Sequence, residues 1–259
     1  MTRISRFLPV LALGVVLPLS ACGGGPKVAA DTRYVALDVA TLYNAAQDRL
    51  ERKQYAEAAS LFDETERQHP YTEWARRAQI KSAFSYYAAK EYTKALDSAR
   101  RFIQTHPGNE DAPYAYYLIA MSQYEQISDV RRDQKTTDDA RTALTELVQR
   151  YPQSAYADDA RLKLDLVNDH LAGKEMEVGR FYERRRRWLA ATIRFQSVVD
   201  EYQTTSHAPE ALYRLVESYL ALGIPAEAKK SAAVLGANYP GSEWYTKAYE
   251  LIRDNGGVA

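Results

Sequence analysis

The stretch AASLFDETERQHPYT, residues 58–72, decides how the rest of this chain is read. Its features return as ALDSARRFIQTHPGN at 95–109, ARTALTELVQRYPQS at 140–154, ATIRFQSVVDEYQTT at 191–205 and AKKSAAVLGANYPGS at 228–242. Each copy opens on an alanine (Ala58, Ala95, Ala140, Ala191, Ala228) and reaches Pro70, Pro107, Pro152, Gln203 or Pro240 at one register. Thr72, Asn109, Ser154, Thr205 or Ser242 follows. Proline has no N–H and disfavours helix in the residue before it, so it ends a helix. A Thr, Asn or Ser just beyond offers an oxygen to the orphan N–H groups of the next helix, so all five are expected as N-caps. The alanines suit a helix crossing with room for only a methyl group. His69, His106, Tyr151, Tyr202 and Tyr239, which precede the proline positions, are expected to pack between neighbouring repeats.

From residue 37 onward apolar residues recur at three- and four-residue spacing, and strand-like alternation is absent. Spacings of 37, 45, 51 and 37 between the alanines lie above the about 34 residues of a tetratricopeptide unit. The sequence therefore predicts an all-α, superhelical array of about five tetratricopeptide (TPR) repeats over residues 37–253. Their expected bounds are about 37–70, 72–107, 109–152, 154–203 and 205–240, with a C-terminal helix at 242–253. Ala46, Ala83 and Gly179 take the small-residue position of the first helix, and Tyr86, Tyr182 and Tyr219 the aromatic position after it. Phe62, Phe195 and Leu144 take the large position of the second helix, whereas Ala99, Ala232 and Val216 depart from the pattern. Two insertions stand out. Residues 128–136 (SDVRRDQKT) read as a polar loop, and 156–171 (YADDARLKLDLVNDHL) as extra helix that is able to run through Gly173, since one glycine costs only about 1 kcal/mol.

Composition narrows function. Lys+Arg and Asp+Glu are equal at 34 each, so no long-range field gathers nucleic acid. Arg3 and Arg6 precede an uncharged run at 7–19, too short for a bilayer span of about 20 residues and suited to a secretory signal. Leu19-Ser20-Ala21-Cys22 resembles the lipobox of bacterial lipoproteins, and Cys22 is the only cysteine in the chain. Residues 1–21 are thus expected as a cleaved signal peptide, Cys22 as the lipidation site, and 22–36 as an acylated N-terminus and flexible tether. Gly23, rather than Asp, after the cysteine favours the outer membrane under the usual sorting rule.

Nothing in the chain suggests catalysis, a cofactor or a metal. His69, His106, His170 and His207 lie far apart, and no H-E-x-x-H, G-x-S-x-G or phosphate-binding glycine loop occurs. Asp138-Asp139 and Asp158-Asp159 read as helix-start acids. Counting from the repeat alanines places Tyr43, Gln47, Arg77, Lys81, Phe84, Tyr117, Met121 and Tyr124 on the concave wall of the first helices. That wall is either an amphipathic surface or a groove for an extended peptide ending in an aromatic residue, with Arg77 or Lys81 meeting its carboxylate. The run at 184–187, four arginines before Trp188, reads as cations around the end of a first helix, either solvated or meeting an acidic partner or lipid headgroups. Arg194 lies inside the second helix, where it snorkels outward or reaches a partner or a buried acid.

Four stretches, HPYTEWARRAQ (69–79), DAPYAYYLIAMSQY (111–124), FYERRRRWLAATIRF (181–195) and NYPGSEWY (238–245), together with the lipobox, resemble the BamD family of outer-membrane β-barrel assembly lipoproteins, also called competence lipoproteins or YfiO-like. The resemblance covers essentially the whole mature chain. It implies a lipid-anchored subunit on the periplasmic face of the outer membrane that promotes folding and insertion of β-barrel proteins. It further implies contact with the periplasmic domains of BamA, with accessory Bam lipoproteins and with C-terminal segments of unfolded outer-membrane β-barrel proteins. Carried onto this chain, substrate contact falls on the concave wall, and BamA contact near Arg184, Arg185, Trp188 and Arg194. The alternative is another periplasmic TPR adaptor lipoprotein, linked to Tol–Pal or division. Such TolA-binding coordinators usually carry an N-terminal coiled coil and no lipobox. Lytic transglycosylases share a helical superhelix but need a lysozyme-like domain for which no residues remain.

Overall fold

The computed structural model describes residues 37–127 and 134–255. Cys22, the expected signal peptide and tether, and residues 128–133 of the expected loop lie outside them. Every regular element among the described residues is an α-helix. The order is α1 (Val39–Glu51), α2 (Tyr55–Gln68), α3 (Glu73–Ala88), α4 (Tyr92–Thr105), α5 (Ala112–Tyr124), α6 (Lys135–Arg150), α7 (Ala155–Arg184), α8 (Trp188–Glu201), α9 (Ala208–Ala221), α10 (Pro225–Asn238) and α11 (Glu243–Asp254). Consecutive helices pair as hairpins, α1 with α2 through α9 with α10, and α11 closes on α9 and α10. No described helix is long and apolar enough to cross a membrane.

The helix ends follow the sequence punctuation. His69, His106, Tyr151, Tyr202 and Tyr239 are the C-caps of the second helices, all near φ −130° with ψ between 41° and 57°. Their rings pack where expected only in part: Tyr239 donates its hydroxyl to the Gln203 carbonyl of the preceding repeat, whereas His106 stacks edge-on against Phe102 of its own helix. The caps also divide. Thr72 and Ser242 accept from the Ala75 and Trp244 N–H groups at 3.1 and 3.2 Å. Ser154 holds the cap position without such a bond, and its hydroxyl is buried and unpaired. Asn109 and Thr205 stand too early to cap. Each instead shapes the turn, Asn109 by accepting the Asp111 N–H at 2.8 Å and Thr205 by donating to the Tyr202 carbonyl at 2.8 Å.

Four of the hairpin turns are one motif. Lys53, Lys90, Arg186 and Gly223 take φ of 60°, 62°, 55° and 74°, and the N–H of the residue after each reaches back 2.9 Å to a carbonyl five residues earlier. This is the Schellman stop, whose left-handed position favours glycine. Only the last copy has one. Lys90→Gly is therefore expected to stabilise the protein by about 0.5–1 kcal/mol, read as a raised urea midpoint at unchanged slope.

All five repeat alanines are completely buried. Four and seven residues after them come pairs that trade volume: Phe62 with Thr65, Ala99 with Phe102, Leu144 with Leu147, Phe195 with Val198, and Ala232 with Leu235. Where the expected large residue is missing at Ala99 and Ala232, the next turn supplies it, so packing density is kept. The largest apolar core runs from Ile80 of α3 to Leu215 of α9. A second, with Leu212, Val216, Leu235 and Ile252, joins α9, α10 and α11. A third, with Tyr43, Ala46, Phe62 and Ala78, joins α1 to α3.

The insertion at 156–171 continues through Gly173 as one 30-residue helix, α7. Only Arg184 of the arginine run is helical. Arg185 caps α7, Arg186 is the left-handed turn residue and Arg187 caps α8, so the four fan out around a turn rather than around a helix.

Candidate functional site

The first helices carry three polar clusters. At the N-terminal end, Tyr43 packs edge-on against Phe62 and Trp74, with centroids 5.5 and 4.9 Å away. The Lys81 ammonium lies 5.1 Å from the Tyr43 ring centroid and donates to Gln47 Oε1 at 2.6 Å. Among the described residues no carboxylate pairs with Lys81, and its side chain is half-buried. A cation held by a ring face and an amide keeps donor capacity for an anion. Arg77, one turn earlier, is exposed and pairs with Glu73 at 3.2 Å, so of the two expected cations Lys81 is the one without an acid.

The second cluster spans α5 and α7. Tyr156 stacks on Tyr117 at 5.1 Å and meets Tyr114 at 5.2 Å, while the Tyr117 hydroxyl donates to Asp159 at 2.7 Å. Lys163 bonds Asp159 at 2.9 Å and lies 5.5 Å from the Tyr124 ring. Burial first, then the bond and charge of Asp159, raise the Tyr117 hydroxyl well above the ordinary phenol range. Partial burial opposes the charge of Asp159, but the bonds from Lys163 and Tyr117 outweigh it and the carboxyl lies below its usual value. Phe84 of α3 is half-buried against the same core.

Two expected groove residues need correction. Met121 is 4% exposed and Tyr43 8%, so neither is a free wall residue. Tyr117 and Tyr124, one turn to either side of Met121 on its helix face, are both engaged by α7. Tyr43 is enclosed by Phe62 and Trp74. Arg77 is exposed, and Gln47, Lys81, Phe84, Tyr117 and Tyr124 remain partly accessible.

The third cluster was not anticipated from sequence. Arg214 of α9 reaches Glu217 at 2.8 Å, Glu210 at 3.3 Å and Glu183 of α7 at 3.4 Å, and Arg180 meets Glu210 at 3.1 Å. Tyr213 donates to Glu217 at 2.8 Å, and its ring lies 5.4 Å from Trp244 of α11. The spacings of Glu210, Arg214 and Glu217 along α9 are those of helix neighbours, but nothing in the sequence signals their meeting with Arg180 and Glu183 of α7. Arg184 to Arg187 are all exposed beside this cluster and Trp188 is half-buried. Arg185 sits 4.1 Å over the Phe181 ring. Arg194 reaches Glu175 of α7 at 3.1 Å, which answers where its guanidinium goes. Leu189 and Ile193, at 67% and 59% exposure, form an apolar pair on the outer side of α8.

Among the described residues these clusters are surfaces of rings and charges. The model of the YfiO family, described as outer membrane lipoprotein, matches residues 36–235. A protein of Caulobacter vibrioides named outer membrane protein assembly factor BamD is 48% identical over 99% of this chain and 85% of its own length. Proteins of the same name from Rickettsia prowazekii and Neisseria meningitidis serogroup A are 46% and 34% identical, each over 95% of this chain, and over 95% and 96% of their own. A TPR protein of Thermus thermophilus superposes over 83% of this chain and all of its own with a TM-score of 0.38 and 17% identity, too loosely to add to the hairpin geometry. The match over most of the array and the near-full-length relatives place this chain in the YfiO/BamD family of outer membrane lipoproteins.

Proposed function

We propose that this chain is a lipid-anchored component of the outer-membrane β-barrel assembly machinery, a non-enzymatic TPR scaffold on the periplasmic face. The observation that carries this reading is near-full-length similarity to two assembly factors at 48% and 46% identity. In this reading Cys22 carries the acyl anchor. The accessible first-helix residues Gln47, Arg77, Lys81, Phe84, Tyr117 and Tyr124 receive C-terminal segments of unfolded barrel proteins. The periplasmic domains of BamA dock along the α7–α8 turn and α8, using Arg184, Arg185, Trp188 and Arg194 beside Leu189 and Ile193. Accessory Bam lipoproteins join the same assembly.

Lys81 supports the substrate assignment because a half-buried cation without an acid partner fits a peptide carboxylate. Lys81→Ala is expected to weaken binding of a peptide ending in a free aromatic carboxylate about tenfold, and to leave the amidated peptide unchanged. Fluorescence anisotropy checks this, and equal weakening of both peptides would remove Lys81 from carboxylate recognition. The assembly role is tested by affinity purification from detergent-solubilised envelopes. A large outer-membrane barrel bearing periplasmic repeat domains, retained through salt washes, is the expected partner. Recovery of Tol–Pal or division proteins in its place would favour the adaptor alternative.

A further inference from the structure

We propose that the α7–α9–α11 junction is a proton-controlled latch: one proton held on Glu183 beside Glu217 closes it, and loss of that proton loosens the end of α7. The junction has an odd charge balance. Three carboxylates, Glu183, Glu210 and Glu217, meet two guanidiniums, Arg180 and Arg214, at side-chain exposures of 12–32%. Arg214 bonds Glu217 and Glu210 and stands 3.4 Å from Glu183, and Arg180 is held by Glu210. One negative charge is thus left without its own cation in a poorly solvated place, and a proton is the simplest group to cancel it.

The geometry says where that proton sits. Glu183 Oε2 and Glu217 Oε2 stand against the same Arg214 nitrogen, Nη1, at 3.4 and 2.8 Å, so the two carboxyl groups crowd one donor and a proton on one relieves their repulsion. Burial, more than the neighbouring acids, pushes the Glu183 carboxyl up to about 7, against the pull of Arg214. The remaining polar and charged groups at the junction are the Tyr213 hydroxyl, which already donates to Glu217, and Lys247 of α11, which lies 4.3 Å from the Trp244 ring centroid and is paired with Glu243 at 2.9 Å. The next cations are the turn arginines 184–187, all exposed.

Glu183 occupies the last turn of α7, and Arg214 ties it to α9 and, through Tyr213 and Trp244, to α11. When that proton leaves, Glu183 and Glu217 become two anions competing for one guanidinium, and the contact between α7 and α9 weakens. The sign follows from linkage. An unfolded glutamate releases its proton near the ordinary value of 4.5, while Glu183 in the folded chain holds its proton to about 7. Stability from this site is therefore full below the unfolded value and is lost as pH rises through about 7.

A carboxyl carbon NMR titration of the folded full-length chain, with hydrogen exchange over residues 180–187, tests this without any substitution. Expected are a Glu183 signal moving in a step near neutrality, and an opening of the α7 end that increases about tenfold between pH 6 and 8, after correction for intrinsic exchange. Glu183→Gln and Glu217→Gln should each remove the step and flatten the fall of melting temperature from pH 5 to 8. A Glu183 carboxyl titrating fully below pH 5.5, or an α7 end equally protected at pH 6 and 8, would overturn the latch.

Discussion

Arg214→Ala is expected to destabilise the C-terminal part of the array by about 3 kcal/mol, the lower end of what removing one partner from a buried charge cluster costs. The lower end applies because the side chains are 12–26% exposed rather than sealed. Without the guanidinium, Glu183 and Glu217 lose their only ionic partner at the junction, and Glu210 keeps Arg180 alone. Trp244 and Tyr213 also lose the cation packed at 5.9 and 5.5 Å from their ring centroids. A stack of repeats need not unfold in one step, so the loss should concentrate in α9 to α11, which share an apolar cluster of their own while Ala211 and Leu215 of α9 also join the main one. Urea unfolding combined with hydrogen exchange by segment measures it. Adding Glu217→Gln should recover part of the loss. A cost below about 1 kcal/mol would mean that water already solvates these carboxylates and that the cluster behaves as a surface network.

Gly179→Ala is the second large effect, and its sign is the informative part. Ala46 and Ala83 fill the equivalent position in earlier repeats, and alanine favours helix over glycine by about 1 kcal/mol, so pattern alone recommends the change. Packing opposes it. A Cβ on Gly179 would stand 2.4 Å from Cε1 of Phe195 and under 3 Å from two more ring atoms, and that ring is completely buried. Overpacking of this kind costs about 1–3 kcal/mol and here meets a rigid ring at the hairpin crossing, so a net loss of about 2 kcal/mol is expected. Phe195→Leu opens the space, and the double variant should be more stable than the sum of the single losses. Thermal unfolding of the four proteins decides this, and a stabilised Gly179→Ala would show that Phe195 shifts freely.

The same contrast explains what could be read in advance. Helix stops at Pro70, Pro107, Pro152 and Pro240 and the buried repeat alanines were legible because they depend on backbone chemistry and on one close crossing per hairpin. The departures at Ala99 and Ala232 were visible as gaps, while their remedies, Phe102 and Leu235, appear only when two turns of helix are viewed as one volume. Helical counting put Met121 and Tyr43 on an open wall, since it cannot register that α7 leans over α5 or that Trp74 folds onto α1. The arginine run looked like a helix because its neighbours do, but a left-handed stop at Arg186 leaves no local signature when glycine is absent. Glu183 and Arg214 are 31 residues apart, and their meeting depends on the angle between α7 and α9.

The length of α7 has a mechanical consequence. At 30 residues it is a strut of about 45 Å, with Tyr156 and Asp159 in the tyrosine cluster at one end and the arginine turn at the other. A helix of that stiffness moves as a lever: tilting it by about 5° about its middle displaces each end by roughly 2 Å in opposite directions, enough to break a hydrogen bond. Force applied to the arginine turn is thereby delivered to the Tyr117–Asp159 contact without any hinge between them. By reciprocity, whatever strains that contact pushes back on the turn with the same work.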